Sequence, residues 1–128
     1  MYTFERTAKY YETDQMGIVH HSNYIRWFEE ARIELMNHVG LPYRQLEENG
    51  ILIPVLGVTC NYKHPIRFDE TIVLELKIRN YNGVRFEGVY TGRQKETGLL
   101  SCTGVSTPCF TTPALKPARL PRPVQCWP

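Results

Sequence analysis

The sequence predicts an α+β domain in which one long helix packs on an antiparallel sheet. Apolar residues repeat at helical spacing over one long stretch, from Tyr24 to Val39. Several later segments instead alternate polar and apolar residues with the period of two that strands show. Turn signals at Asn82-Gly83 and Thr97-Gly98 separate the last of these segments. Because short turns join antiparallel neighbours, this order of elements favours one sheet with the helix on one face.

The first half of the chain is expected to hold a strand, a polar loop and the long helix. The strand runs from Tyr2 to Tyr11 and ends in a loop over residues 12–21. The residues expected on one face of this strand are Tyr2, Phe4, Ala8 and Tyr10. Ser22 or Asn23 is the expected N-cap of the helix. Gly40-Leu41-Pro42 is the expected end of the helix, since glycine and proline terminate helices.

The second half is expected to be a short helix, Tyr43 to Glu48, followed by strands. The apolar positions that predict the strands are Leu56, Val58, Cys60 and Tyr62, then Ile72, Leu74, Leu76 and Ile78, then Val84, Phe86 and Tyr90, and a last strand from Leu99 to Thr107. We expect one domain over residues 1–111 and a proline-rich tail over 112–128, either wrapped on the domain or disordered. One helix covers one sheet face only, so exposed strand edges favour self-association.

Composition narrows the class of protein. The 128 residues are 42% hydrophobic and 22% charged, as in an ordinary globular domain. A net charge of +2 without a basic run argues against binding to nucleic acid. The sequence shows neither a signal-peptide pattern nor a stretch of membrane-spanning length, so we expect a cytoplasmic protein. In that compartment the cysteines are expected to be free thiols: Cys60, Cys102, Cys109 and Cys126.

A dense polar motif precedes the helix. It consists of Thr13-Asp14, two further residues, Gly17-Ile18-Val19-His20, and then Asn23-Tyr24. This pattern resembles the signature of the 4-hydroxybenzoyl-CoA thioesterase family, including its YbgC-like acyl-CoA thioesterases. The resemblance implies a hotdog fold, in which a curled antiparallel sheet wraps around one long helix. It also implies hydrolysis of an acyl-CoA thioester to the free acid and CoA.

In that family the catalytic acid precedes the central helix, and the resemblance assigns this role to Asp14, as nucleophile or as general base. The thioester carbonyl is then polarised by a backbone N–H near His21, whose ring is a second candidate donor. Helix N-termini favour developing negative charge, which supports such a site independently. Asp14 as a turn-capping residue is the alternative. A helix carboxylate, Glu30, is a further candidate because a related subgroup uses one.

The remaining expectations concern the substrate and the assembly. Candidates for substrate contact are Gly17, Ile18, Tyr24, Val58 and Tyr62. No metal or cofactor is expected, because the sequence lacks a ligand cluster and CoA enters as part of the substrate. The alternatives to an acyl-CoA thioesterase are an acyl-ACP thioesterase, acting on acyl carrier protein, and a non-catalytic acyl-binding dimer. We expect a homodimer or homotetramer.

Overall fold

One five-stranded antiparallel sheet and one long helix form the frame of the molecule. The computed structural model describes residues 1–119. Its strands are β1 (Tyr2–Thr7), β2 (Val55–Tyr62), β3 (Thr71–Arg79), β4 (Glu87–Gln94) and β5 (Leu100–Pro108), and its α-helices are α1 (Ser22–His38) and α2 (Tyr43–Glu48). The strands lie in the order β1-β3-β4-β5-β2, with antiparallel neighbours throughout. The predicted α+β class is confirmed, as are the bounds of α2.

The core lies between α1 and the sheet. In β3, Ile72, Leu74 and Leu76 are fully buried and Ile78 is half-buried, as the alternating pattern predicts. The ring of Phe28 on α1 stacks on that of Tyr90 on β4, with 4.2 Å between ring centroids. Gly104 on β5 allows this close approach, because a Cβ atom there would lie 2.5 Å from Cε2 of Phe28. The helix is therefore seated directly on the middle of the sheet.

Strand β2 lies at an edge of the sheet, next to β5. The strand is present, as the alternation of polar and apolar residues predicted, but its large apolar side chains are not buried. Val58 is 39% exposed and Tyr62 is 45% exposed. Large apolar side chains on an unpaired edge are unusual in an isolated domain, because such an edge can pair with another chain.

The first predicted strand is too long. β1 ends at Thr7, and a single 3-10 turn follows at Tyr10–Glu12. The carboxylate of Glu12 accepts a hydrogen bond from the backbone N–H of Lys9 at 2.8 Å, which bends the chain out of the sheet. Tyr10 therefore does not share the buried face with Phe4 and is 76% exposed.

The Asn82-Gly83 turn was predicted as a two-residue hairpin, and this prediction is wrong in length. β3 and β4 are paired up to Arg79 and Glu87, so residues 80–86 form a wider loop. The side-chain oxygen of Asn82 accepts hydrogen bonds from the N–H groups of residues 84 and 85 and stabilises that loop. The second predicted turn is present, with Gly98 at φ 72° between β4 and β5.

The chain after β5 folds back on the domain as far as the structure describes it. The N–H of Ala118 donates to the carbonyl of Phe110 at 2.9 Å, and Thr111 is bridged to Pro117. Residues 112–119 thus follow the wrapped alternative for the predicted tail. The rest of that tail, including Cys126, lies outside the described residues.

Candidate active site

A cavity of about 290 Å³ opens at the N-terminal end of α1. It lies between the polar loop that precedes the helix and the end of β2. Asp14 and His21 both line it, which brings the predicted carboxylate and the predicted helix end to one site. The other residues that line the cavity are Met16, Ile18, Val19, Tyr24, Tyr62, Lys63, His64 and Pro65.

A tight turn holds Asp14. Its backbone carbonyl accepts the N–H of Gly17 at 3.0 Å, and its N–H donates to the carbonyl of Ile18 at 2.9 Å. Gly17 has φ 78°, a conformation that residues with a Cβ rarely adopt. One carboxylate oxygen, Oδ1, accepts the N–H of Met16 at 2.8 Å. Asp14 thus does cap its own turn, and among residues 1–119 no group bonds its second oxygen, Oδ2.

The peptide group of His21 marks the start of α1. His21 is the N-cap in place of the predicted Ser22 or Asn23, and its own side chain makes no capping hydrogen bond. Its carbonyl accepts the N–H of Tyr24 at 3.2 Å and the hydroxyl of Tyr62 at 3.1 Å. Its N–H has no hydrogen-bond partner within the described part of the chain. A free N–H at the positive end of a helix is suited to hold an oxyanion.

The phenol of Tyr62 stays protonated over a wide pH range. Desolvation by burial, followed by a hydrogen bond with Cys60, raises its pKa to about 12. It therefore remains a donor to the His21 carbonyl at neutral pH. Its ring also meets those of Tyr24 and His21 edge-on, with centroids 5.1 Å and 6.1 Å apart.

A buried carboxylate network anchors the loop that carries Asp14, and the sequence analysis missed it. Glu12 is only 4% exposed. Its carboxylate accepts two hydrogen bonds from the guanidinium of Arg6, each at 3.0 Å, and one from Nε1 of Trp27 at 3.0 Å. Its carbonyl accepts the side-chain amide of Asn23 at 2.9 Å. These bonds tie β1, the loop and α1 together immediately before the catalytic candidate.

The structure separates the predicted contact residues into three groups. Ile18, Tyr24 and Tyr62 line the Asp14 cavity. Val58 lines a neighbouring groove between α1 and β2, and Gly17 shapes the turn without lining the cavity. Glu30, the alternative carboxylate, does not line the cavity and pairs with Arg6 at 3.0 Å.

Residues 1–119 hold no cluster of side chains that could bind a metal ion. None of the helices described there is long and apolar enough to cross a membrane. The three cysteines within this range, Cys60, Cys102 and Cys109, are free thiols.

Comparison with known proteins gives consistent matches. The family model described as "Thioesterase-like superfamily" matches residues 9–127. A putative acyl-CoA thioesterase, YneP of Bacillus subtilis, is 36% identical over 125 residues, which cover 96% of this chain and 89% of that protein. The acyl-CoA thioester hydrolase YbgC of Escherichia coli is 30% identical over 118 residues, 90% of this chain and 87% of that one. A DHNA-CoA thioesterase structure from Staphylococcus aureus superposes with a TM-score of 0.87 at 34% identity, covering 92% of this chain and 79% of that chain.

Proposed function

Because the chain belongs to the thioesterase-like superfamily and is a thioester hydrolase with the hotdog fold, we propose that it hydrolyses acyl-CoA to the free acid and CoA. Asp14 carries the reaction in this proposal, and the His21 amide stabilises the oxyanion. The observation that carries the proposal is that Asp14 and His21 line one cavity, and that the His21 N–H has no hydrogen-bond partner among residues 1–119. The names of the relatives YneP and YbgC support an acyl-CoA substrate.

Two routes are open to the Asp14 carboxylate. As a nucleophile, its oxygen bonds to the thioester carbon, the C–S bond breaks, and CoA leaves as a thiolate that takes a proton from water. Water then cleaves the mixed anhydride, which releases the acid and restores the carboxylate. As a general base, the carboxylate instead takes a proton from the water that attacks the same carbon; the C–S bond then breaks, and the proton passes to the CoA thiolate, which restores the carboxylate. In both routes negative charge develops on the carbonyl oxygen, where the His21 N–H is worth about 3–4 kcal/mol.

The hydrogen bonds of the site suit this chemistry. The turn at Gly17 fixes the backbone of Asp14, and Oδ2 is left available to react. The Tyr62 hydroxyl donates a hydrogen bond to the carbonyl oxygen of His21. That carbonyl belongs to the peptide group that joins His21 to Ser22, so the bond fixes the backbone directly after the His21 N–H and holds the start of the helix in place. Tyr62 therefore acts as a positioning residue in this proposal.

We propose that the working unit is at least a homodimer, joined through the edge of β2. Val58 and Tyr62 lie exposed along this edge, beside the cavity. Pairing of two such edges would cover these side chains and remove the exposed edge. Free cysteines suit a reducing compartment, so we place the reaction in the cytoplasm.

The experiment follows CoA thiol release from a panel of straight-chain and aromatic acyl-CoA substrates. Asp14→Asn and Asp14→Ala are expected to lower kcat by about 10³-fold or more, as expected for loss of a catalytic group. Asp69→Asn is the matched control, because Asp69 is exposed and does not line the cavity. An active wild type with fully active Asp14 variants would remove this residue from the mechanism.

Further measurements separate the alternatives. A burst of CoA release ahead of free acid under rapid quench indicates the nucleophile, and simultaneous release is what the general-base route predicts. A much higher kcat/KM with acyl carrier protein substrates selects the acyl-ACP thioesterase. Acyl-CoA binding without hydrolysis of any substrate selects the acyl-binding dimer.

A further inference from the structure

Two cysteine side chains lie together on β2 and β5, and the proposed reaction uses neither. Tyr62 of β2 pairs with Cys102 of β5, and Cys60 pairs with Gly104. Directly paired residues, and alternate residues of one strand, share a face of the sheet, so all four lie on the face that packs on α1. Because Gly104 has no side chain, nothing lies directly opposite the thiol of Cys60 on β5. That thiol instead forms a hydrogen bond with the thiol of Cys102.

The two thiols have different surroundings. Cys60 is half-buried on the edge strand, whereas Cys102 is fully buried. The hydrogen bond with Cys102 lowers the pKa of the Cys60 thiol against the opposing effect of desolvation, and a hydrogen bond with Tyr62 lowers it further. The same bond with Cys60, followed by burial, raises the pKa of the Cys102 thiol. Oxidation therefore starts most readily at the sulfur of Cys60, with Cys102 next to it as the thiol that completes a disulfide.

The cysteine pair adjoins the wall of the Asp14 cavity. Tyr62 lines that cavity, and its hydroxyl contacts both the thiol of Cys60 and the carbonyl of His21. Substrate has to enter the cavity in any assembly of the protein. A small oxidant can therefore approach the cysteine pair from the cavity side, even where a partner covers the edge of β2.

We propose that Cys60 and Cys102 form a peroxide-sensitive modification site, whose disulfide lowers the activity of the proposed thioesterase. The Cys60 thiolate attacks one oxygen of hydrogen peroxide and the O–O bond breaks, which gives a sulfenic acid and a hydroxide that takes up the proton lost by the thiol. The sulfur of Cys102 then attacks the sulfenic sulfur, and its proton leaves with the sulfenic hydroxyl as water. Two thiols and one peroxide thus give one disulfide and two waters. In a reducing compartment such a bond is transient, because small thiols reverse it by exchange.

Formation of the disulfide is expected to move the edge strand. An S–S bond is shorter than the contact between two hydrogen-bonded thiols, and the two cysteines are diagonal rather than direct neighbours. Closing the bond therefore draws β2 toward β5, which is its only neighbour within the sheet of one chain. Tyr62 moves with β2, so its hydroxyl shifts away from the His21 carbonyl. This effect on activity rests on the proposed function, whereas the disulfide itself does not.

Peroxide treatment followed by mass mapping tests the site without an activity assay. The reduced full chain is treated with hydrogen peroxide, the remaining thiols are alkylated, and linked peptides are identified after digestion. We expect a linkage between Cys60 and Cys102 that dithiothreitol reverses. In Cys102→Ala, dimedone is expected to trap a sulfenic acid on Cys60, because the second thiol is missing. The wild-type linkage decides the matter if Cys102→Ala does not fold. Absence of this linkage in peroxide-treated wild type would overturn the site.

Activity on acyl-CoA, followed as free acid, tests the effect on the reaction. Oxidation of the wild type is expected to lower kcat by about tenfold or more, since small displacements at a catalytic site cost at least this much. Dithiothreitol should restore kcat. Cys60→Ser should keep its activity under peroxide, whereas the control Cys109→Ser, at a buried cysteine outside the pair, should lose activity as the wild type does.

The two measurements fail in different ways. If peroxide inactivated Cys60→Ser as strongly as the wild type, the disulfide would not be the cause of inactivation and the proposed control of activity would be wrong. A Cys60–Cys102 linkage in a protein that hydrolyses no acyl-CoA would sink the proposed function and leave the modification site in place.

Discussion

Removal of the negative charge on Glu12 is expected to destabilise the fold strongly. The variant Glu12→Gln keeps the shape of the side chain but loses the buried ion pair with Arg6, in which the two side chains are 4% and 16% exposed. Loss of one member of a buried ion pair costs about 3–5 kcal/mol. The Trp27 Nε1–H can still donate to the amide oxygen, so we expect the lower end, about 3 kcal/mol.

The assay is urea unfolding, monitored by tryptophan fluorescence and by circular dichroism. A loss of about 3 kcal/mol corresponds to a fall in Tm of about 9–15 °C for a domain of this size. Glu30→Gln is the matched control, since Glu30 also pairs with Arg6 but is 43% exposed. We expect Glu30→Gln to lower the free energy of unfolding by less than about 1 kcal/mol. A free energy of unfolding for Glu12→Gln within about 0.5 kcal/mol of the wild-type value would show that the carboxylate network does not anchor the Asp14 loop.

Three further changes test other parts of the account. Gly104→Ala is expected to destabilise the fold by about 1–3 kcal/mol, measured by urea unfolding, because the new Cβ would meet the Phe28 ring. Gly17→Ala is expected to cost about 1–2 kcal/mol from its positive φ and to lower kcat; unchanged kcat in a folded variant would contradict the assigned turn. Tyr62→Phe removes the hydroxyl donated to the His21 carbonyl, so kcat should fall while the KM for acyl-CoA changes little; a change in KM alone would contradict positioning. The raised pKa of Tyr62, about 12 against 10.0, also predicts a stability contribution that is full below about pH 10. It is lost as pH rises toward 12, because the unfolded chain deprotonates first, and Tyr62→Phe should flatten this part of the stability profile.

Much of the fold follows from periodicity in the sequence. The helical repeat from Tyr24 onward and the alternation of β3 are direct consequences of one buried face, and both elements appear as predicted. The errors occur where side chains bond to the local backbone. Glu12 ended β1 early by capping the N–H of Lys9, and the Asn82 side chain widened a hairpin that its dipeptide predicted as tight.

The residues of the candidate site that lie close together in the sequence were predictable, but the contacts between residues far apart in the sequence were not. The motif around Asp14 placed the carboxylate and the helix start close in sequence, and both line one cavity. The Glu12–Arg6 ion pair joins β1 to the loop, and the Tyr62 hydroxyl reaches the His21 carbonyl across 41 positions in the sequence. Such contacts depend on tertiary packing, so residue spacing alone carries no signal for them.

The central claim is that the Asp14 carboxylate and the His21 amide converge on one thioester carbonyl. The most direct measurement is a crystal structure of the wild-type protein with a non-hydrolysable acyl-CoA ketone analogue, in which CH₂ replaces the thioester sulfur. We expect the carbonyl oxygen within hydrogen-bond distance of the His21 N–H and its carbon about 3–3.5 Å from an Asp14 oxygen. A carbonyl bound away from both groups, in an otherwise ordered complex, would contradict the account.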